Sequence, residues 1–418
     1  MAGPKLATMA WRNLWRQKRR TILTLASIAF GGFLSVLMTA MQDRSFSDFI
    51  DTAARLGAGH VVIEHAAYLD TPSLARTVQG TGALHEKAQA QPGVVKVVDR
   101  VMGEAMVSTA HDSFGAAFIA YDPAAEDKRT LSFIGGVAQG ELYETADDPG
   151  IVLGKTLAKN LGAELGDKVV YTMMDKNGEI VAGMGRLSGT ISTGAQSADA
   201  ALFLLPIDRA REVLGYAPDE ATHVGIYLTD NRRSPRVARA LNALGLGPET
   251  TAISWDEIAP DLRAFIAMKK GGSRFFMIVI ALLACAGIFN TLFMAVMERL
   301  REFGILLAIG YSPRQIFRLV MWESAWLSLV GIAASALITA WPYYYLAKNG
   351  INMAKVMTNG QNSEVAGVGF DMTHLNIGIY PEHAVVIAVC IVLATLAAGL
   401  YPAWKAGRVE PVESIKLV

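Results

Sequence analysis

Four long apolar runs without a charged side chain constrain this chain more than any other feature of its sequence. They cover residues 21–41, 275–297, 324–347 and 384–404. A helix needs about 20 apolar residues to cross the hydrocarbon core of a bilayer. A charge at the centre of such a helix costs about 3 kcal/mol on insertion scales, so runs free of charge are favoured as spans. The sequence therefore predicts four transmembrane helices.

The rest of the chain is polar enough to predict a large domain in water. Of 418 residues, 52% are hydrophobic and 18% are charged. This balance is too apolar for an ordinary soluble protein and too polar for one fully embedded in lipid. The formal net charge is zero, which gives no electrostatic support for a nucleic-acid partner. We expect a membrane α-helical fold with four spans joined to a large α+β extracytoplasmic domain.

The distribution of Lys and Arg predicts the orientation of the chain in the membrane. Six basic residues and no acid precede the first run, and four Arg follow the second. Only two Lys lie between the third and fourth runs. Basic loops stay in the cytoplasm. We therefore assign residues 1–20, 298–318 and 405–418 to the cytoplasm, and residues 42–272 and 348–383 to the outside. The expected location is the inner membrane of a bacterium, with a periplasmic main domain and a periplasmic loop at 348–383.

The first apolar run could belong to a cleaved signal peptide, and the segment before it has a pattern of its own. A basic segment followed by an apolar run also occurs in signal peptides, but an apolar stretch of about 20 residues exceeds their usual about 7–15. We expect residues 21–41 to be a retained span. In residues 1–20, Trp11 and Trp15 share one helical face, as do Arg12 and Arg16. This pattern predicts an amphipathic helix at the membrane surface.

Short strand-like and helix-like segments alternate through residues 42–272, which predicts an α+β domain. The tetrapeptide Asp175-Lys176-Asn177-Gly178 is a turn signal that favours a hairpin. The predicted strands are residues 59–65, 94–98, 104–109, 116–121, 169–173, 179–181, 201–205 and 224–228. The predicted helices are residues 84–90, 155–162, 207–214, 234–243 and 256–269.

Two adjacent glycines, Gly271 and Gly272, separate the last of these helices from the second run. They fit a candidate hinge between the domain and the membrane. They fit an irregularity that a continuous helix tolerates equally well, and the sequence leaves both readings open.

No motif predicts catalysis, a cofactor or a metal site. Gly150 and Gly154, followed by Lys155, resemble a phosphate-binding loop, but only three residues separate the glycines where that loop needs four. A strand turning into a helix explains the segment better. The histidines form no His-Glu-x-x-His pair, and no Gly-x-Ser-x-Gly motif is present. Both cysteines, Cys285 and Cys390, lie inside apolar runs. We expect a protein that is not an enzyme.

The segment 298–318 is charged, helix-forming and placed between two spans. It also carries a small apolar face that lipid headgroups do not require, which favours a partner on the cytoplasmic side. A solvated turn is the alternative, because Glu298 and Arg301 at helical spacing stabilise any surface helix. The candidate docking residues are Glu298, Arg299, Arg301, Glu302, Phe303, Ile305, Leu306, Leu307, Ala308, Ile309, Gly310, Ser312 and Pro313.

Several segments together resemble the FtsX-like permease family of ABC transporters, which includes the lipoprotein-releasing Lol permeases and the MacB-type exporters. The resemblance runs from end to end of the chain. It covers an N-terminal signature, external motifs, a coupling-helix motif and a C-terminal signature. The N-terminal signature is residues 10–14 with 19–21. The external motifs are residues 151–154, 161–169 and 191–194 followed by Asp199. The coupling-helix motif is residues 298–305 with 308–310, and the C-terminal signature is residues 401–406 with 411–413.

The resemblance implies a MacB-like periplasmic core in two parts and a permease that works as a dimer with a second copy or a paralogue. It implies a separate ABC ATPase subunit, also a dimer, that docks on the coupling helix at 298–318. ATP-driven closure of the ATPases would then move the spans and the external domains, which is mechanotransmission. The layout is closest to the Lol type and implies extraction of an amphiphilic cargo such as a lipoprotein or membrane lipid. The loop at 348–383 departs from that type.

Two other functions stay open. One is drug or peptide efflux through an outer-membrane conduit. The other is transmembrane signalling, in which the external domain activates a cell-wall hydrolase or senses a peptide.

The expected topology predicts that Asn177 faces the outside. In a variant without Cys285 and Cys390, a cysteine introduced by Asn177→Cys should react with a membrane-impermeant maleimide in intact spheroplasts. A cysteine introduced by Arg301→Cys in the cytoplasmic loop is the matched control and should react only after lysis. The opposite pattern would reverse the topology.

Overall fold

The computed structural model describes residues 3–193, 196–352, 363–365, 368–370, 374–375, 377–378 and 380–408. These residues fall into two compact units. One is helical and comprises the described residues of 1–45, 267–352 and 374–418. The other is α+β and comprises those of 46–266 and 353–373.

Helices and strands alternate through the middle of the chain. The helices are α1 Gly3–Leu14, α2 Lys18–Leu56, α3 Thr81–Gln89, α4 Lys155–Asn160, α5 Gln196–Ala201, α6 Ile207–Leu214, α7 Ser234–Ala243, α8 Trp255–Ile258, α9 Pro260–Glu298, α10 Leu300–Ala308, α11 Pro313–Asn349 and α12 Pro381–Gly407. The strands are β1 Val61–His65, β2 Val78–Gln79, β3 Val94–Ser108, β4 Ser113–Tyr121, β5 Val137–Gly140, β6 Gly150–Gly154, β7 Lys168–Met174, β8 Ile180–Ile191, β9 Leu202–Pro206, β10 Glu220–Ala221, β11 His223–Leu228, β12 Thr250–Ser254, β13 Ile351–Asn352, β14 Ser363–Val365, β15 Val368–Phe370 and β16 His374–Leu375.

Four helices are long and apolar enough to cross a membrane: α2, α9, α11 and α12. Each contains one of the four apolar runs of the sequence. Small residues let these helices approach closely, as is usual where lipid surrounds a bundle. A Cβ atom at Gly331 would clash with Ile28, one at Gly32 with Ser335, and one at Gly399 with Ser324.

The α+β unit is built on a ten-stranded sheet in the order β12-β1-β11-β3-β4-β9-β6-β8-β5, with β7 paired to both β3 and β8. Most neighbours are antiparallel, whereas β4–β9 and β6–β8 are parallel. One hydrophobic core packs α4 and α6 against the sheet, and a second packs α3 and α7. This mixed architecture confirms the predicted fold class of spanning helices joined to an α+β domain.

The hairpin predicted at Asp175–Gly178 is confirmed. β7 and β8 pair from Lys168↔Arg186 to Met174↔Ile180. The Asp175 carboxylate accepts hydrogen bonds from the backbone N–H groups of Asn177 and Glu179. Gly178 adopts φ +84°, a conformation that glycine reaches without steric cost.

Several predicted element bounds are wrong. The strands predicted at 94–98 and 104–109 are the single strand β3, because Gly103 does not turn the chain there. Instead, a Cβ atom at Gly103 would lie 2.7 Å from Leu74, so the glycine permits close packing. The helix predicted at 256–269 is divided at Ala259, since Pro260 disfavours a helical conformation in the preceding residue. The amphipathic helix of residues 1–20 is likewise interrupted by a turn between α1 and α2.

The helices and strands that sequence analysis did not predict are all short. β2, β5, β10, β12 and α5 have two to six residues each, which is too short for a clear periodic signal. Much of the loop at 348–383, and the tail beyond Arg408, lie outside the described residues.

Candidate docking segment

The candidate docking segment is the helix α10 with the turn that follows it. The helix ends in a pattern of two hydrogen bonds, from Tyr311 N to Leu306 O at 3.0 Å and from Gly310 N to Leu307 O at 3.1 Å. Gly310 has φ +104°. These bonds and this left-handed residue form a Schellman motif, which satisfies carbonyl groups at a helix end. The glycine at this position therefore fixes where α10 stops.

The next helix begins two residues later with a capping box. The Ser312 hydroxyl accepts a hydrogen bond from Gln315 N, and the Gln315 side chain accepts one from Ser312 N at 2.7 Å. Pro313 occupies the first turn of α11, where its missing N–H group costs nothing. The turn between α10 and α11 is thus specified at both ends by local sequence.

One face of α10 is buried. Phe303 is wholly buried, and Gly304 beside it is buried as well. The Arg299 guanidinium lies 5.1 Å from the centre of the Phe303 ring. The surrounding cluster joins residues from α1, α9, α11 and α12, namely Leu6, Ala10, Val296, Ile316, Leu319, Val320, Ala403 and Ala406. Phe303 therefore anchors α10 to the helical unit, and its side chain is not available to a partner.

The opposite face of the segment is exposed. Ile309 at the tip of the turn is 73% exposed and Ile305 is 44% exposed. Of the other candidate docking residues, Glu302, Arg299, Leu306 and Leu307 are half-buried. The remaining exposed candidates are Glu298, Arg301, Ala308, Gly310, Ser312 and Pro313. A partner that docks here would therefore contact an apolar pair ringed by polar groups.

An ion-pair network surrounds the base of α10. Arg299 contacts Glu302 at 3.2 Å and Glu323 of α11 at 3.0 Å. Glu302 also contacts Arg16 at 2.6 Å. Asn13 donates a hydrogen bond to Glu323 at 2.8 Å. These contacts connect α1, the residues just after it, α10 and α11.

A second set of contacts holds α2 to the end of α9. Arg20 contacts Glu298 at 3.1 Å and also donates to the carbonyl oxygen of Thr291. Gln17 donates to Glu298 at 3.1 Å. The two sets line one polar cavity of about 280 Å³.

Two members of the network that lie between the spans, Arg299 and Glu302, are stabilised in their charged forms. Burial alone would raise the pKa of Glu302, but hydrogen bonds from Arg16 and Arg299 outweigh it and lower that pKa. Burial likewise opposes the charge on Arg299, yet Glu323 and Glu302 outweigh it and raise the Arg299 pKa. Because the Glu302 pKa is lowered, its stabilising contribution is present above the ordinary range of a Glu and is lost as pH falls through the lowered value.

Sequence analysis missed Asn13, Arg16, Arg20 and Glu323 as members of this network. A signal was present, because Glu323 is a lone carboxylate directly beside the third apolar run. A carboxylate at that boundary needs a partner, but sequence does not say which of the nearby Arg residues supplies it.

The glycines and the lysine discussed in the sequence analysis lie outside the docking segment. Gly271 and Gly272 are inside α9, and a Cβ atom at either would meet no neighbour within 4 Å. Gly154 ends β6 against the backbone of Asp199, whose carboxylate accepts hydrogen bonds from Ser192 and Thr193. Lys155 is exposed at the start of α4. Within the described residues, no group of three or more His, Cys, Asp or Glu side chains could hold a metal ion.

Because Glu323 is more buried than Glu302, we expect the Gln substitution at Glu323 to destabilise the protein more. Glu323→Gln removes the carboxylate from a site where the acid is 10% exposed and its partner Arg299 is 14% exposed. Losing this charge-assisted contact should cost about 2 kcal/mol. Glu302→Gln affects an acid that is 37% exposed, paired with Arg16 at 63% exposure and with Arg299, which keeps its contact with Glu323. This change should cost about 1 kcal/mol or less. Thermal unfolding of the purified protein measures both, and equal losses would contradict the ranking.

Comparison with known proteins places this architecture in a family. Residues 21–244 match the MacB-like periplasmic core domain, and residues 274–411 match the FtsX-like permease C-terminal family. The lipoprotein-releasing system transmembrane protein LolC of Xylella fastidiosa is 24% identical over 278 residues, which are 64% of each chain. The chain thus spans just under two thirds of that relative. LolE of Haemophilus influenzae is 23% identical over 84% of this chain and 85% of its own.

A relative of different layout is the pyoverdine export ATP-binding/permease protein PvdT of Pseudomonas entomophila. It is 24% identical over 97% of this chain and 58% of its own length. Among solved structures, the extracellular domain of the ABC-type transporter YknZ is 13% identical with a TM-score of 0.33, covering 46% of this chain and 99% of that one. The first family match alone spans more than half of the chain. The chain therefore belongs to the family of ABC transporter permeases that join a MacB-like periplasmic core domain to an FtsX-like permease region.

Proposed function

We propose that this chain is the permease subunit of an ABC complex in a bacterial inner membrane, and that it has no catalytic activity of its own. A separate ATPase subunit docks on α10 and the turn after it. ATP hydrolysis by that subunit drives the extraction or export of an amphiphilic cargo on the outer side of the membrane. The observation that carries the proposal is the two-faced helix α10, anchored through buried Phe303 while Ile305 and Ile309 remain exposed.

A protein partner explains this exposed face better than lipid does. Ile309 lies at the tip of a turn whose exposed neighbours include Arg301, Ser312 and Arg314. An apolar centre with a polar rim is the usual anatomy of a protein interface. The capping box and the Schellman motif hold the turn in one conformation, which lowers the entropy cost of docking. The basic residues that flank the second span support a cytoplasmic location for this surface.

The class of cargo rests on the relatives. LolC and LolE are named as components of a lipoprotein-releasing system, which supports a lipoprotein or membrane lipid as cargo. The family also supports a pair of permeases, formed with a second copy or a paralogue. Export of a smaller molecule through an outer-membrane conduit is the second candidate, because PvdT is named for pyoverdine export and its similarity covers nearly the whole chain.

The docking proposal predicts that negative charge at Ile305 and Ile309 prevents the ATPase from binding. Ile305→Asp together with Ile309→Asp should abolish co-purification of the ATPase, since both side chains would have to bury a carboxylate at the interface. Leu244→Asp is the matched control, because Leu244 is 54% exposed in the α+β unit. That control should retain the ATPase. Undiminished recovery with the double Asp variant, at equal membrane insertion, would contradict docking at this surface.

The continuity of α9 predicts how the complex responds to changes at Gly271 and Gly272. Replacing both by Ala should preserve coupled transport, because the added Cβ atoms meet nothing and Ala favours helix by about 1 kcal/mol per site. Inserting several glycines there should leave ATP hydrolysis but stop cargo release. Transport and ATPase rates in proteoliposomes measure both effects. Normal transport by the insertion variant would contradict rigid transmission, and loss of transport in the double Ala variant would show a required hinge.

A further inference from the structure

The alternation of side chains along β3 creates a surface that the docking proposal does not use. Val101, Ala105 and Val107 point into the first hydrophobic core. Successive side chains of a strand point to opposite faces, so Met102, Glu104 and Met106 lie on the other face. Their partners across the β3–β4 ladder are Ile119, Ala117 and Gly115. Because Ala117 and Gly115 have little or no side chain, this face of the strand pair carries a depression.

The depression forms a groove within the α+β unit. Two adjoining cavities of about 820 and 640 Å³ share Glu104, Ala117 and Met174 as lining residues. Tyr68 and His223 belong to the first cavity, and Ile180 of the β7–β8 hairpin belongs to the second. Cavities that hold small ligands in proteins measure about 300–1,000 Å³, so each part is large enough for one.

The groove exposes apolar side chains to water. Met106 is 49% exposed, Met174 is 58% exposed and Ile180 is 78% exposed. Apolar side chains that cluster on the surface of a water-exposed domain mark an interaction site. Methionine is flexible and polarizable, so such a wall adapts to ligands of irregular shape. The surface therefore suits a flexible apolar chain better than a rigid, fully polar molecule.

The groove also carries a negative charge, at Glu104, that no described residue compensates. Glu104 is exposed, and the structure gives it no hydrogen bond or ion pair among the described residues. His223 also lines the groove, and its Nε2 atom lies 3.4 Å from a carboxylate oxygen of the buried Glu64. Burial, together with the carboxylates of Glu64 and Glu104, raises the pKa of Tyr68 to about 12. The neutral Tyr68 hydroxyl donates a hydrogen bond to Met102 O at 3.0 Å.

We propose that this groove binds a cationic amphiphile, with the cationic group at Glu104 and the apolar chain along Met102, Met106 and Met174. The apolar walls favour the chain, and the exposed Glu104 carboxylate selects a positive headgroup over a negative one. This inference builds on the proposed function because it names the charge class of an amphiphilic cargo. Binding at the groove does not itself require the ATPase, so the two proposals can fail separately.

The probe is a long-chain alkyltrimethylammonium that carries a photoreactive diazirine in its chain, compared with an alkyl sulfate of the same chain length. Full-length protein in lipid nanodiscs is irradiated without any ATPase, and adducts are located by peptide mass spectrometry. We expect the cationic probe to label peptides from β3, β4 and the β7–β8 hairpin. Labelling by the sulfate probe there should be weaker by about fivefold or more, as for a single charge contact near the surface.

Two variants separate the contributions of charge and shape. Glu104→Gln should lower labelling by the cationic probe about fivefold and bring the two probes to similar levels. Gly115→Leu should remove labelling by both probes, since a Cβ atom there meets no neighbour within 4 Å and the side chain can extend into the groove. Glu144→Gln is the matched control at another exposed Glu of the same unit, and it should change neither probe.

Equal labelling of the groove by both probes would overturn the selection for a cation. Labelling confined to α2, α9, α11 and α12 would overturn the site itself and would show that the probe resides in the bilayer. Either result leaves ATPase docking on α10 untouched, because no ATPase is present. Loss of docking with the Asp variants would likewise leave the labelling result unchanged.

Discussion

The hydrocarbon core of a membrane is the constraint on which the helical unit depends. Backbone N–H and C=O groups find no water there, so each segment that crosses must satisfy them internally. The four apolar runs meet this requirement as the long helices α2, α9, α11 and α12. The same constraint pushes charged side chains to the ends of the helices. Arg20, Glu298 and Glu323 therefore gather with Arg299 at one end of the bundle.

This concentration of charge gives α10 its rigid base. Arg299 contacts two carboxylates and also lies over the ring of Phe303. The buried ring fixes one side of the helix, and the capped turn fixes its end. What remains exposed is a small surface around Ile309. A surface held this firmly can transmit force from a partner, whereas a mobile loop would dissipate it.

The α+β unit is not subject to the constraint of the hydrocarbon core, because it is a domain in water. Its sheet can leave side chains exposed to solvent. Its ten-stranded sheet buries one set of alternating side chains under α4 and α6, and β3 leaves the other set accessible along part of its length. Where the cross-strand partners are Ala117 and Gly115, the exposed face becomes a groove and not a covered core. The unit therefore combines a stable scaffold with a concave apolar surface, and this is the usual setting for a binding site.

Several features of the fold depend on local sequence pattern and could be predicted from it. The spans follow from hydropathy, the hairpin at Asp175–Gly178 from turn chemistry, and α6 and α7 from helical periodicity. These are short-range effects, so each segment carries enough information. The candidate docking segment stands out in the same way, as a charged helix with an apolar face between two spans, but its local pattern also fits a solvated turn.

Which of those residues contact one another depends on how distant parts of the chain fold together. The sequence could not show that Phe303 is buried while Ile305 is exposed, because α1, α11 and α12 supply the cover. It could not pair Arg16 with Glu302, nor the wholly buried Arg100 with Glu126 at 2.6 Å, since each pair depends on chain segments brought together by folding. Strand β3 likewise runs through Gly103, which pairs with Phe118 of β4 and packs closely against Leu74. Long-range packing thus overrides local preference at these positions, and local sequence does not encode it.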